Sequence, residues 1–122
     1  MLIVDGANVV GSRPDGWWRD RPGAARRLER QLRAGDLGDV RVVLVLEGAA
    51  RAGVPVGEQD GVSTVHATGS GDDAIVAQVR AIPDADVVVV TADRGLRRRV
   101  EALDATVRAP SWLLDRLADV PS

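Results

Sequence analysis

Carboxylates stand at four widely separated points of the sequence: Asp5 in LIVDGANVV, Glu47 in VVLVLEGAA, Asp72 and Asp73 in GSGDDAIV, and Asp93 in VVVVTADRG. Three of these segments close or directly follow an apolar, β-branched run; the fourth opens a helix-like stretch. In an open parallel sheet the carboxyl ends of the strands share one rim, and ligands bind there. Carboxylates far apart in sequence would converge at that rim. Such a cluster needs a counter-charge, and a divalent cation is the usual one. Mg²⁺ or Mn²⁺ suits it, because magnesium takes few protein carboxylates and keeps several waters. An ion so held can bind a phosphodiester, lower the pKa of a water and stabilise a leaving oxygen.

Each carboxylate also has a plainer role. Asp5, followed by Gly6, Ala7 and Asn8, suits a turn or helix cap. Asn8 can fix the Asp5 rotamer or meet a substrate phosphate. Asp72 can cap the helix that starts there, with Asp73 favouring the positive end of its dipole. One cap needs one carboxylate, however, and Gly69-Ser70-Gly71 lets a ligand approach the backbone, so at least one of the pair is expected to face metal. Asp93 can cap a helix beginning at Arg94. Glu47 ends a buried strand, where an unpartnered carboxylate is costly. It must be solvated at the rim, paired with arginine or bound to metal.

The elements that would position these groups alternate in type. Residues 1–5 and 40–47 are apolar runs, the second reading as a strand buried on both faces. Pro22 suits the first position of a helix over 22–34, with Ala25, Leu28 and Leu32 on one face and Gly35 as a stop. Residues 62–67 mix polar and apolar side chains, which suggests an edge strand. Helices are expected over 72–82 and 94–103, a central strand over 86–91, a last strand over 105–109, and a terminal helix from Pro110. The segments 11–21 and 48–61 read as loops, the second as the mobile one. This βαβ…βαβαβα order implies one domain over residues 1–122 with helices on both faces of a parallel sheet.

Composition excludes several chemistries. The chain has 122 residues, a net charge of −2, no cysteine and a single histidine, His66. Disulfides and thiolate sites are absent. All basic residues are arginine, so a phosphate-binding loop ending in GKT or GKS cannot be built. Receiver domains and haloacid-dehalogenase-type phosphatases, which place lysine beside their aspartates, fit poorly for the same reason. His66 falls mid-strand and reads as a packed residue rather than a base. The N-terminus lacks the basic start of a signal peptide, and its apolar run is broken at Asp5, so a cytoplasmic protein with no membrane span is expected.

Taken together, these segments resemble the NYN branch of the PIN-like nucleases, over nearly the whole chain. VDGANVVG looks like the family's opening motif, GDDAIV like its acidic helix start, and VVVVTADRGLRRRV like its last strand-aspartate-helix unit. VEALDATVRAPSWL is similar to its closing helix-strand-helix. The resemblance implies a three-layer α/β/α Rossmann-like sandwich with a five-stranded parallel sheet in the order 3-2-1-4-5. It also implies metal-dependent ribonuclease activity. Asp5, Asp72 or Asp73, and Asp93 become metal-site candidates, with Asn8 as a partner. Glu47 stands where aspartate is expected, which puts its ligand role in doubt. Asp104 occupies a helix-end position usual for glycine.

Single-stranded RNA would be held by arginines and tryptophan. Arg94 lies nearest the expected rim, followed by Arg97, Arg98 and Arg99, of which several face outward. Arg13, Arg19 and Arg21 surround Trp17 and Trp18, where bases can stack; a tryptophan there can equally plug the core. Arg51 can reach the site from the 48–61 loop. Two other functions fit the same residues: an inactive PIN-like module that binds RNA or protein, and a metal-dependent hydrolase of nucleotides or other small phosphorylated substrates. A homodimer, or an antitoxin or other protein partner, is compatible with either.

Overall fold

The computed structural model describes residues 1–82 and 86–121. The strands are β1 (Leu2–Asp5), β2 (Val42–Leu46), β3 (Gly57–Gln59), β4 (Val62–His66), β5 (Val88–Val90) and β6 (Thr106–Arg108). The helices are α1 (Gly6–Gly11), α2 (Arg21–Ala34), α3 (Gly71–Arg80), α4 (Arg94–Glu101) and α5 (Pro110–Arg116), with 3-10 turns at Trp17–Arg19 and Gly48–Gly53.

These six strands form one mixed sheet in the order β3-β4-β2-β1-β5-β6. β1 pairs in parallel with β2 and β5, β2 with β4, and β5 with β6. β3 runs antiparallel to β4. The all-parallel, five-stranded expectation therefore needs correction by one hairpin. Asp60 and Gly61 both take positive φ, which turns the chain back on itself between β3 and β4. Accordingly, β4 is not an edge strand. Its outer side is paired with β3, and its alternating burial matches a strand with one drier face.

The inner strands are apolar on both faces because both faces are covered. In β1, Leu2 and Val4 join a core with Val9, Leu28, Leu32, Leu44 and Leu113. Ile3 points the other way, to Val43, Ile75, Val79, Leu96 and Val100. Alternate side chains of one strand thus feed two cores, the first under α1, α2 and α5, the second under α3 and α4. Among the described residues, no helix is long and apolar enough to cross a membrane.

The two long connections are structured. Asp20 caps α2 by accepting the Gly23 amide at 2.9 Å, and Pro22 occupies the first turn as its fixed φ favours. The 48–61 segment is not an irregular loop. Its 3-10 turn packs on α2 so closely that a Cβ on Gly53 would meet the Pro22 carbonyl oxygen at 2.0 Å.

Candidate active site at the carboxyl rim

Asp5 is the last residue of β1 and is buried. Its Oδ2 accepts the Thr91 hydroxyl at 2.9 Å, and its Oδ1 accepts the Asn8 amide at 3.4 Å. The chain turns into α1 immediately, which glycine at position 6 permits. A Cβ there would lie 2.6 Å from the Val45 carbonyl oxygen. Asn8 does not fix the Asp5 rotamer with its side chain. Its Oδ1 accepts the Ala92 amide at 2.9 Å, tying α1 to the segment after β5.

That segment carries Asp93. Thr91 accepts the Asp93 amide on the same hydroxyl that donates to Asp5, at 3.1 Å. Asp93 in turn caps α4, its Oδ1 accepting the Leu96 amide at 2.9 Å. One hydroxyl therefore links the carboxylate end of β1 to the capping aspartate of α4. Thr91 was not among the sequence candidates. Its signal was a hydroxyl placed directly after the VVVV run and two residues before Asp93.

At α3 the capping assignment changes. Ser70, not Asp72, is the cap, its Oγ accepting the Asp73 amide at 3.2 Å. Ser70 and Asp73 stand at the spacing of a capping box, a signal present in the sequence. Asp72 is thereby released from that duty. Asp73 is exposed and bridged to Arg99 at 2.9 Å. Glu47 is half-buried and, among the described residues, pairs with no arginine. Its Oε2 accepts the Gly71 amide at 3.1 Å, so it holds the first turn of α3.

Electrostatics draws these carboxylates into one group. Burial pushes the Asp5 carboxyl up to about 6; Thr91 and Asn8 oppose the rise, while repulsion from Asp72 and Glu47 adds to it. Asp72 is raised by burial first, then by Asp93 and Glu47, with Arg99 partly offsetting and Asp73 adding. The four acidic segments thus lie close enough to repel one another at the rim.

The donor set consists of oxygens, which suits Mg²⁺ or Mn²⁺. Among the described residues, no group of three or more His, Cys, Asp or Glu side chains is arranged to hold an ion. Magnesium binds through one or two carboxylates with water filling the rest of its shell, so Asp5 with one neighbour meets its needs.

The candidate RNA contacts divide. Arg94 is exposed at the first turn of α4, beside Asp93. Arg97 is exposed and paired with Glu101 at 3.2 Å. Arg13 is half-buried, and its guanidinium donates to Gln31 of α2. Arg19 lies over the Trp18 ring at 5.7 Å and Arg21 over Trp17 at 5.4 Å. Trp17 packs partly against the first core, whereas Trp18 is exposed. Arg51 donates to the Gly48 and Ala67 carbonyls, which braces the 48–53 turn. His66 ends β4 and bonds the Val54 carbonyl oxygen at 2.7 Å, a structural contact.

This α/β fold has solved counterparts. Rae1 (YacP) from Bacillus subtilis aligns with a TM-score of 0.79 at 18% identity, over 97% of this chain and 73% of that one. A point mutant of the same protein aligns at 0.72 and 18% identity, over 96% of this chain and 74% of the other. The likeness is one of fold. No protein-family model and no curated protein sequence matches the chain.

Proposed function

We propose that the chain is a metal-dependent endoribonuclease of the NYN kind, acting on single-stranded RNA with Mg²⁺ or Mn²⁺. The observation that carries this reading is the state of Asp5. It is buried, its carboxyl is pushed up to about 6 by burial first and also by the charges of Asp72 and Glu47, and its described hydrogen bonds come from neutral groups. A carboxylate so placed is stabilised by a cation.

In this reading Asp5 and Asp72 would hold the ion, with water filling the rest of its shell, and the charge of Asp93 beside Asp72 would add to the attraction. Glu47 acts through the first turn of α3, which it anchors, rather than as a ligand. Thr91 keeps Asp5 and the cap of α4 in register, and Asn8 fixes the Ala92 amide between them. Arg94 takes a substrate phosphate. The cation, when bound, supplies an activated water and the charge that stabilises the leaving oxygen.

The test is an end-labelled single-stranded RNA incubated with the protein and Mn²⁺. Internal cleavage that stops on chelation and is lost in Asp72→Asn is the expected result. Intact RNA in the presence of excess Mn²⁺ refutes the proposal. The non-catalytic alternative draws on Asp73, which is already bridged to Arg99. RNA binding without heat of Mn²⁺ binding in calorimetry would favour that binding module instead. Phosphate release from nucleotides without RNA cleavage would favour the small-substrate hydrolase.

A further inference from the structure

Between α1 and the Gly48–Gly53 turn lies a cavity of about 270 Å³. Ala7, Val10 and Ala50 give it apolar walls, Trp17 an aromatic one, and Arg21 and Glu47 its charges. Gly6, directly after Asp5, also lines it, so the cavity adjoins the carboxylate rim. We propose that it takes one nucleobase of a bound RNA strand, against Trp17, with Glu47 reading the base edge and Arg21 holding the adjoining phosphate. The proposal rests on the ribonuclease reading for its substrate and adds a base subsite to it.

The volume falls near the lower end of ligand pockets, about 300 Å³, which suits one ring system rather than a peptide or helix. Trp17 is held by the first core, so its ring is positioned before any ligand arrives. The Arg21 guanidinium lies 5.4 Å over that ring, and bases stack on aromatic rings and on guanidinium planes alike. Glu47 is anchored through Oε2 to the Gly71 amide, which leaves Oε1 as an acceptor. A carboxylate accepts and does not donate. It therefore favours adenine, cytosine or guanine, which present an exocyclic amino group, over uracil, whose one edge donor, N3–H, lies between two carbonyl oxygens that repel a carboxylate. Glu47 then serves recognition, which accounts for an acidic residue at the rim that is tied to backbone.

The experiment measures anisotropy of labelled pentaadenylate, pentacytidylate and pentauridylate with the full chain in EDTA, with mononucleotides as competitors. The adenylate and cytidylate pentamers should bind about tenfold more tightly than pentauridylate, the worth of one hydrogen bond to a charged group. Trp17→Ala should weaken binding about tenfold, the loss of one stacked base. Ala7→Leu, at an exposed position of α1, fills the cavity without entering the core and should do the same. Glu47→Gln should narrow the preference against uridylate.

Equal binding of the three pentamers, or Ala7→Leu binding as wild type does, overturns the proposal. A mononucleotide competing as well as its pentamer also overturns it, by making this a site for free nucleotides. RNA cleavage with Mn²⁺ but without this binding pattern leaves the nuclease reading standing and removes the base subsite. The binding pattern without cleavage does the reverse.

Discussion

The Asp5 carboxyl accepts the Thr91 hydroxyl and the Asn8 amide, yet burial and two neighbouring carboxylates still hold its proton on up to about pH 6. In the unfolded chain the same group titrates near pH 4. The folded protein therefore binds the extra proton between those values, and its stability falls as pH rises through that window. Ionised Asp5 costs about 3 kcal/mol in the metal-free protein at neutral pH. Asp5→Asn should then raise the melting temperature in EDTA at pH 8 by about 5 °C or more, and change it little at pH 4. A lower melting temperature for the variant at pH 8 would show that the carboxylate charge stabilises the fold. Asp5 was legible because a strand end predicts its place. Thr91 was not, since nothing in one sequence tells that its hydroxyl reaches across from β5 to β1. The bond from the Gly71 amide to Glu47 was not legible for a related reason: backbone partners leave no mark on composition.

Helix starts set the positions of the acidic groups, and they were only partly readable. Asp93 caps α4, one of the roles its place allows, with the Leu96 amide as its partner. At α3 the cap lies two residues earlier than Asp72, on Ser70, so the local hydroxyl outcompeted the carboxylate that follows. The 48–61 segment looked irregular because glycine, alanine and proline carry no periodic pattern. Its structure comes from tertiary contact, with Gly53 against Pro22 and Arg51 against the Gly48 and Ala67 carbonyls. Gly53→Ala should accordingly destabilise the protein by about 1–3 kcal/mol in urea, the usual cost of overpacking. Amide exchange should quicken from Gly48 to Gln59. Unchanged stability and exchange would mean that the turn does not depend on its seat against α2.

Across the whole molecule, strand and helix order carried the α/β architecture, because buried parallel strands read as unbroken apolar runs and helices between them keep their 3.6-residue stripe. The hairpin of β3 escaped notice since its three residues, Gly57–Gln59, are exposed and lack apolar alternation. Charge balance also belongs to this scale. With a net charge of −2, the chain has no overall pull on RNA, so the proposed function requires affinity to come from a few local arginines, Arg94 and Arg21 in the proposal above. The slope of log affinity against log salt should be about −1 to −2, near −0.7 for each phosphate contacted on a single strand. A slope steeper than about −4 would require a broad basic surface instead.

The central claim is that the rim carboxylates act by charge and not by shaping the helix. Asparagine caps a helix about as well as aspartate, so Asp93→Asn keeps the bond to the Leu96 amide while removing the charge. Single-turnover cleavage of single-stranded RNA in saturating Mn²⁺, compared between wild type and Asp93→Asn of matched melting temperature, tests this directly. The account predicts metal-dependent cleavage by wild type and a loss of at least about 100-fold in the variant, the scale of one charge acting on a transition state. Equal rates in the two proteins, or no cleavage by either, would contradict it.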